Sequence, residues 1–172
     1  MELADGKIHL RSLRYSDCKH LAVLANNKRI WNNLRDMFPH PYCVEDAEKF
    51  IDSVKQQDPR TTFAIEYDYR FVGVIGIIMQ QDVYRKSGEI GYWIGEPFWN
   101  KGISTCALKL ATEYAFESLG VEKLFAGVFA GNEGSRRVLE KCGYHLEGVL
   151  RKAVYKNNRF LDEGRFGKLR ND

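Results

Sequence analysis

Two short stretches carry residue types whose spacing suits chemistry. The first is WNKGIST, residues 99–105, where Lys101 and Gly102 stand just ahead of a helical pattern. The opening amides of a helix have no intrahelical acceptor, and the helix dipole puts partial positive charge there. A glycine lets an anion approach those amides without a Cβ in the way, and a lysine adds charge. The stretch thus has the parts of a phosphate cradle, although one glycine at a strand–turn–helix junction is also ordinary punctuation. The second is NEGSRRVLEKCGY, residues 132–144. Asn132 and Ser135 stand three apart at its start, directly after a strand-like run. Two short polar side chains there can address a ligand along the strand end, or simply cap an amphipathic helix that turns Val138, Leu139 and Cys142 inward.

Other chemistries lack their residues. No GxxxxGK[ST] occurs, and no GxGxxG follows a strand. The cysteines at 18, 43, 106 and 142 form no CxxC, and the histidines at 9, 20, 40 and 145 form no HExxH, so neither a metal site nor a disulfide framework is expected. The opening MELADGKIHL has no apolar signal core, and the longest apolar run, 71–79, is far short of the roughly 20 residues of a membrane span. A soluble cytoplasmic protein is the expectation. A net charge of +3, from 26 Lys and Arg against 23 Asp and Glu, is too balanced for a nucleic-acid binder but suits an acidic small ligand. The basic run of Arg151, Lys152, Lys156, Arg159, Arg165 and Lys168 reads as a solvated hairpin surface.

At 172 residues the chain reads as one domain, 1–172. Alternation predicts a strand over Ile8 to Leu13. Ser16 and Asp17 are placed to cap a helix carrying Leu21, Leu24 and Ala25. A short helix is expected around Lys28 to Leu34, ended by Pro39 and Pro41, and another over Glu45 to Val54. Strands follow at 61–67, 71–79 and 87–95, the second apolar enough to be covered on both faces. A helix from Ile103 or Ser104 buries Ala107, Leu108, Ala111, Tyr114, Ala115 and Leu119 and ends at Gly120. A strand at 123–129, a helix from Asn132 to Gly143 and a hairpin turning at Asn157-Asn158 complete the order β-α-α-β-β-β-α-β-α-β-β. The fold class is α+β, a mixed three-layer arrangement with an antiparallel meander feeding a strand–helix–strand unit.

EIGYWIGEPFWNKGISTCAL, followed some thirty residues on by NEGSRRVLEKCGYHLEGVLR, resembles the GNAT superfamily of acetyl-CoA-dependent N-acetyltransferases, in particular the ribosomal-protein N-terminal acetyltransferases of the RimJ/RimL type. The likeness extends from IHLRSL to the closing hairpin at YKNNRF. It implies a mostly antiparallel central sheet flanked by helices, and acetyl-CoA as co-substrate with no metal. The family's pyrophosphate loop, Gln/Arg-x-x-Gly-x-Gly/Ala, maps onto Trp99 to Ser104. Gly102 is retained, while Trp99 and Ser104 depart from the pattern, so recognition must rest on backbone amides. The implied cofactor residues are Asn100, Lys101, Gly102, Ile103, Ser104 and Thr105, with Ile94 and Gly95 facing the pantetheine and Asn132 bonding it. Lys101, Arg136 or Arg137 would meet the 3′-phosphate, and Lys101 and Arg137 are carried as candidates.

Many family members place a tyrosine seven residues after the asparagine to protonate the leaving thiolate. Leu139 stands there, so the resemblance assigns that role to Ser135, with Tyr144 as runner-up. Transfer to an amine also needs a neutral nitrogen and a donor to the oxyanion, here a backbone N–H of Trp93 to Gly95. An α-amine near pKa 8 is about 10% neutral at pH 7, a handicap of roughly 1.4 kcal/mol, against about 4.6 kcal/mol for a lysine amine. A weak base acting through water then suffices for N-termini: Glu89 first, Glu66 second. Acceptor specificity would lie in 26–42 and 154–162, where Trp31, Phe38, Tyr42 and Tyr155 are candidate pocket walls. The expected partners are acetyl-CoA and an amine acceptor, a protein N-terminus or a small amine. A homodimer is admitted, and neither membrane nor nucleic acid is expected. The competing reading is an acyl-CoA-binding sensor without turnover.

Overall fold

A computed structural model describes residues 2–172. Strands β1 (Leu3–Asp5) and β2 (Ile8–Arg11) form a hairpin across Gly6 and Lys7, with Gly6 at φ +58° in the first turn position. The sequence reading has no β1, and its first strand ends at Arg11 rather than Leu13. Three helices follow, α1 (Cys18–Ala25), α2 (Lys28–Trp31) and α3 (Val44–Val54), each expected individually although the summary order counts only two. Strands β3 (Thr62–Tyr67), β4 (Arg70–Met79) and β5 (Ser87–Ile94) precede α4 (Ile103–Glu117), β6 (Lys123–Phe129), α5 (Glu133–Lys141), β7 (His145–Lys156) and β8 (Arg159–Leu169). The eight strands are ordered β1-β2-β3-β4-β5-β6-β8-β7. β5 and β6 run parallel, with Ser87 opposite Lys123 and Glu89 opposite Phe125; β1/β2, β2/β3, β3/β4, β6/β8 and β7/β8 are antiparallel. The mostly antiparallel α+β class therefore stands.

Of the two tight hairpin turns that follow, the one at Asn157-Asn158 falls where it was expected. Asp68 and Tyr69 (φ +51° and +62°) join β3 to β4, and Asn157 and Asn158 (φ +52° and +58°) join β7 to β8, as two-residue hairpins of this hand require. The expected burial of β4 on both faces holds from Phe71 to Ile75. It fails at Ile78, which is 56% exposed. The β3 register ends at Gly76, so the last residues of β4 outrun that neighbour.

The chain divides into two compact units. One comprises the chain up to Gly76 together with Tyr92–Ala111. Its core is built from Leu21, Ala25, Ala47, Ile51, Ala64 and Val74, with Leu24, Phe38 and Trp93 packed against it. Each fully buried Leu, Ile or Val among them contributes about 1.5–3 kcal/mol. The other unit comprises Ile77–Gly91 and Thr112–Asp172, and buries Val121, Leu124, Ala126, Leu139, Tyr144 and Phe166. β4, β5 and α4 each run through both.

Asp17 does not cap α1 by a side-chain hydrogen bond, contrary to expectation. A 3-10 turn at Tyr15–Asp17 intervenes, and the carboxylate is claimed from two other directions. Its Oδ2 accepts from the Arg14 amide and from Arg11 Nη1, both at 2.8 Å, and Oδ1 accepts from Arg11 Nη2 at 2.9 Å. Arg11 Nε lies 2.7 Å from Glu66 Oε1, close enough for ion pairing but not aligned as an N–H···O bond. Arg11 and Asp17 are both buried. The guanidinium is held above its ordinary pKa by Asp17 first, then by Glu66 against the opposing effect of burial. Glu66, the second candidate base, is thereby a partner in a buried ion triad.

Candidate active site

The loop that leaves β5 is shaped by three local constraints. Glu96–Phe98 form a 3-10 turn with Pro97 at its second residue. Asn100 and Gly102 then take left-handed conformations, φ +60° and +75°, so the chain doubles back before α4 starts. The first bond into α4 runs from the Cys106 amide to the Gly102 carbonyl at 3.1 Å. The amides of Ile103 and Ser104 precede it and have no acceptor inside the helix. Asn100, Lys101 and Gly102 are exposed while Ile103 is buried and anchors the turn. A Cβ built at Gly102 meets nothing within 4 Å. Glycine is needed there for its backbone conformation, and the space before it is open, as a bound diphosphate would require.

Trp99, the oddity of the loop, faces inward. Its Nε1 donates to the Ile94 carbonyl at 2.7 Å, closing the turn back onto the end of β5. The Arg29 guanidinium lies over the indole, 5.1 Å from its centroid, and also bonds Glu96 Oε1 at 2.5 Å. Asn27 Nδ2 bonds Glu96 Oε2 at 2.6 Å, while Asn27 Oδ1 caps α2 through the Arg29 amide at 2.8 Å. The Glu96 carboxyl is held below the ordinary range by Asn27 first and then by Arg29. An Asn at the start of a helix was readable in ANNKRI, but its second bond, 69 residues away in sequence, was not.

The strand end is tightly fitted. A Cβ at Gly73 would collide with the Trp93 carbonyl oxygen, and one at Gly95 would come within 2.8 Å of Leu24 Cδ2. The Gly95 amide donates to the Val72 carbonyl at 2.8 Å, so within the expected oxyanion-donating segment Gly95 is already engaged. Phe38 meets Trp93 edge-on at 5.8 Å and Tyr42 at 4.9 Å, and Trp31 pairs with His40 at 5.6 Å. Tyr42 is buried and its hydroxyl is pushed up by that burial. It packs in the core of this unit. Tyr155 stacks on Phe160 at 5.0 Å, and both are exposed.

The second group of expected residues lies on β5 and α5. Asn132 caps α5, its Oδ1 accepting from the Ser135 amide at 3.3 Å. The cap occupies the oxygen, and its NH2 group is the part suited to a ligand acceptor. Arg136 is tied to Glu140 at 2.9 Å, and Arg137 is exposed. Glu89 is half-buried on β5 opposite Phe125. Leu139, at the position where the resemblance implied a tyrosine, is 0% exposed and part of the core.

The Acetyltransferase (GNAT) domain model matches residues 7–145. The chain belongs to the GNAT acetyltransferase family. This GNAT chain is 31% identical over 162 residues to the probable N-acetyltransferase YjcK of Bacillus subtilis, covering 90% of each. It is 28% identical over 155 residues to the spermidine N(1)-acetyltransferase of Escherichia coli K12, covering 89% of this chain and 81% of that protein. Mycobacterium smegmatis RimJ, solved with CoA-disulfide, shares the fold with a TM-score of 0.86 at 21% identity, over 99% of this chain and 87% of that one. The GNAT chain is an acetyl-CoA-dependent N-acetyltransferase, moving an acetyl group from the thioester to an amine. Among the described residues no group of His, Cys, Asp and Glu is placed to hold a metal ion, and no helix is long and apolar enough to cross a membrane.

Tyr144, the runner-up acid, is 1% exposed and shares a 2.7 Å hydrogen bond with Thr112 Oγ1. Tyr144→Phe is expected to leave kcat of this GNAT enzyme unchanged while lowering stability by about 1–2 kcal/mol, since Thr112 loses its partner. Denaturant melts beside steady-state kinetics check both halves.

Proposed function

We propose that residues 1–172 act as a single cytoplasmic acetyltransferase domain that acetylates a primary amine by direct attack on acetyl-CoA in a ternary complex. The observation that carries this reading is the open space before Gly102, at φ +75°, facing helix amides without intrahelical acceptors. Asn100 to Thr105 hold the diphosphate through backbone amides, and Lys101 and Arg137 supply charge for the 3′-phosphate. Ile94 and Gly95 line the pantetheine, which Asn132 bonds.

In the reaction the amine nitrogen attacks the thioester carbonyl, a C–N bond forms and the C–S bond breaks. The amine proton passes through water to Glu89, and the departing thiolate is met by the Ser135 hydroxyl. No cysteine stands in the loop's motif positions or on α5's first turn, which supports direct attack without an acetyl-enzyme. The acceptor is a protein N-terminus or a small amine; the lower cost of a neutral α-amine favours the first. A homodimer is part of the reading, supported by exposed Leu146, Val149 and Leu150 on the outermost strand β7, and sedimentation measures it. The buried Leu139 favours one alternative, a sensor that binds acyl-CoA without turnover.

The test is thiol release from acetyl-CoA across a panel of N-terminal peptides, spermidine and aminoglycosides. Ser135→Ala is expected to lower kcat by about 100-fold at constant acetyl-CoA KM, and Glu89→Gln to lower kcat by a comparable factor. CoA binding without acetylation of any amine would establish the sensor instead. Unchanged kcat in Ser135→Ala removes that residue's role.

A further inference from the structure

The pyrophosphate loop is braced from a distant segment. Both oxygens of Glu96 are taken by α2 donors, Asn27 Nδ2 at 2.6 Å and Arg29 Nη1 at 2.5 Å. Glu96 opens the turn that delivers Trp99, whose indole N–H fixes the last carbonyl of β5 at 2.7 Å. Arg29 spans both, bonding Glu96 while lying over the Trp99 ring. The Asn27 side chain that reaches Glu96 also caps α2, so the start of α2 and the loop share their hydrogen bonds.

We propose that Arg29, Glu96 and Trp99 form a latch that positions the acetyl-CoA loop from the acceptor-recognition segment. They are positioning residues and touch no reacting atom. The proposal rests on the reading of Asn100–Thr105 as the diphosphate grip and of 26–42 as the acceptor segment. An acceptor that orders the start of α2 then tightens the loop, and bound CoA orders α2 in return, because such coupling is reciprocal. An isolated exposed ion pair carries little weight; here one carboxylate is held by two donors, one of them stacked on the ring that closes the turn.

The latch and simple electrostatics predict opposite signs. Removing the negative charge of Glu96 near a diphosphate site should tighten CoA by attraction alone. The latch requires Glu96→Gln to weaken it. Calorimetric titration of full-length protein with CoA is expected to show a three- to tenfold loss for Glu96→Gln, a similar loss for Arg29→Met and about tenfold for Trp99→Phe, which keeps the ring but not the donor. The double variant Glu96→Gln/Arg29→Met loses no more than either alone, because the two act through one another. Arg29→Lys recovers part of the affinity. In kinetics, KM for acetyl-CoA rises while kcat holds. CoA affinity equal to or tighter than wild type in Glu96→Gln, or losses that multiply in the double variant, overturns the latch. If Trp99→Phe does not fold, the Glu96–Arg29 cycle still decides. Failure of the wild type to bind CoA is a different result, and removes the assignment of the loop itself.

Discussion

Gly102→Glu is expected to lower kcat/KM for acetyl-CoA by at least about 100-fold and to bring CoA binding below detection by titration. Two effects add. A non-glycine residue at φ +75° is strained by about 1–2 kcal/mol, roughly tenfold if the bound state must hold that conformation. The remainder comes from the side chain itself. A Cβ at this site meets open space within 4 Å, so the variant folds, and its carboxylate then occupies the volume before the helix amides and repels the diphosphate. Gly102→Ala separates the two causes: it carries the strain and little of the obstruction, and should lose only about tenfold. Both variants should keep a thermal midpoint within a few degrees of wild type. A Gly102→Glu protein that turns over acetyl-CoA at near wild-type kcat/KM would show that the loop does not hold the cofactor.

The largest effect on stability is expected at Arg11. Replacing it by Met leaves Asp17 and Glu66 facing one another's surroundings without a cation. Their side chains are 7% and 18% exposed, so neither can be rehydrated without opening the structure. Breaking a buried ion cluster by removing one partner costs about 3–5 kcal/mol. Denaturant unfolding of both proteins measures the cost, and a loss below about 1 kcal/mol would contradict the ion-triad account.

The sequence exposed most of the fold because most of it obeys local rules. β6 at 123–129 and α5 with its Asn132 cap and Gly143 stop, at φ +79°, follow from periodicity and punctuation alone. The Asn157-Asn158 turn needed only two residues that tolerate positive φ. β1 was missed because three residues carry no periodicity, although Asp5-Gly6 marked its turn. Asp17 was misread for a different reason. An acid before a helical stripe looks like a cap, and only the tertiary structure reveals that a buried arginine outcompetes the helix for it. The site divides in the same way. Gly102 and Asn132 were legible from residue type and neighbours, whereas Trp99 looked like a defect in the pattern. Its bond to Ile94 reaches back only five residues, but its cover by Arg29 is a contact across 70 residues of chain, which no local pattern encodes.

That contact bears on recombination. A segment from Glu96 to Thr105 looks like a self-contained module, short, motif-bearing and bounded by a strand and a helix. Yet the ring at its head is roofed by Arg29 and its first acid is bonded by Asn27 and Arg29. A chimera that imports a Gln- or Arg-led loop from another family member would leave those two side chains facing nothing. One that exports this loop would carry a tryptophan without its cover. The unit of exchange is discontinuous: the loop travels intact only together with the start of α2, and the two should change in concert among homologues.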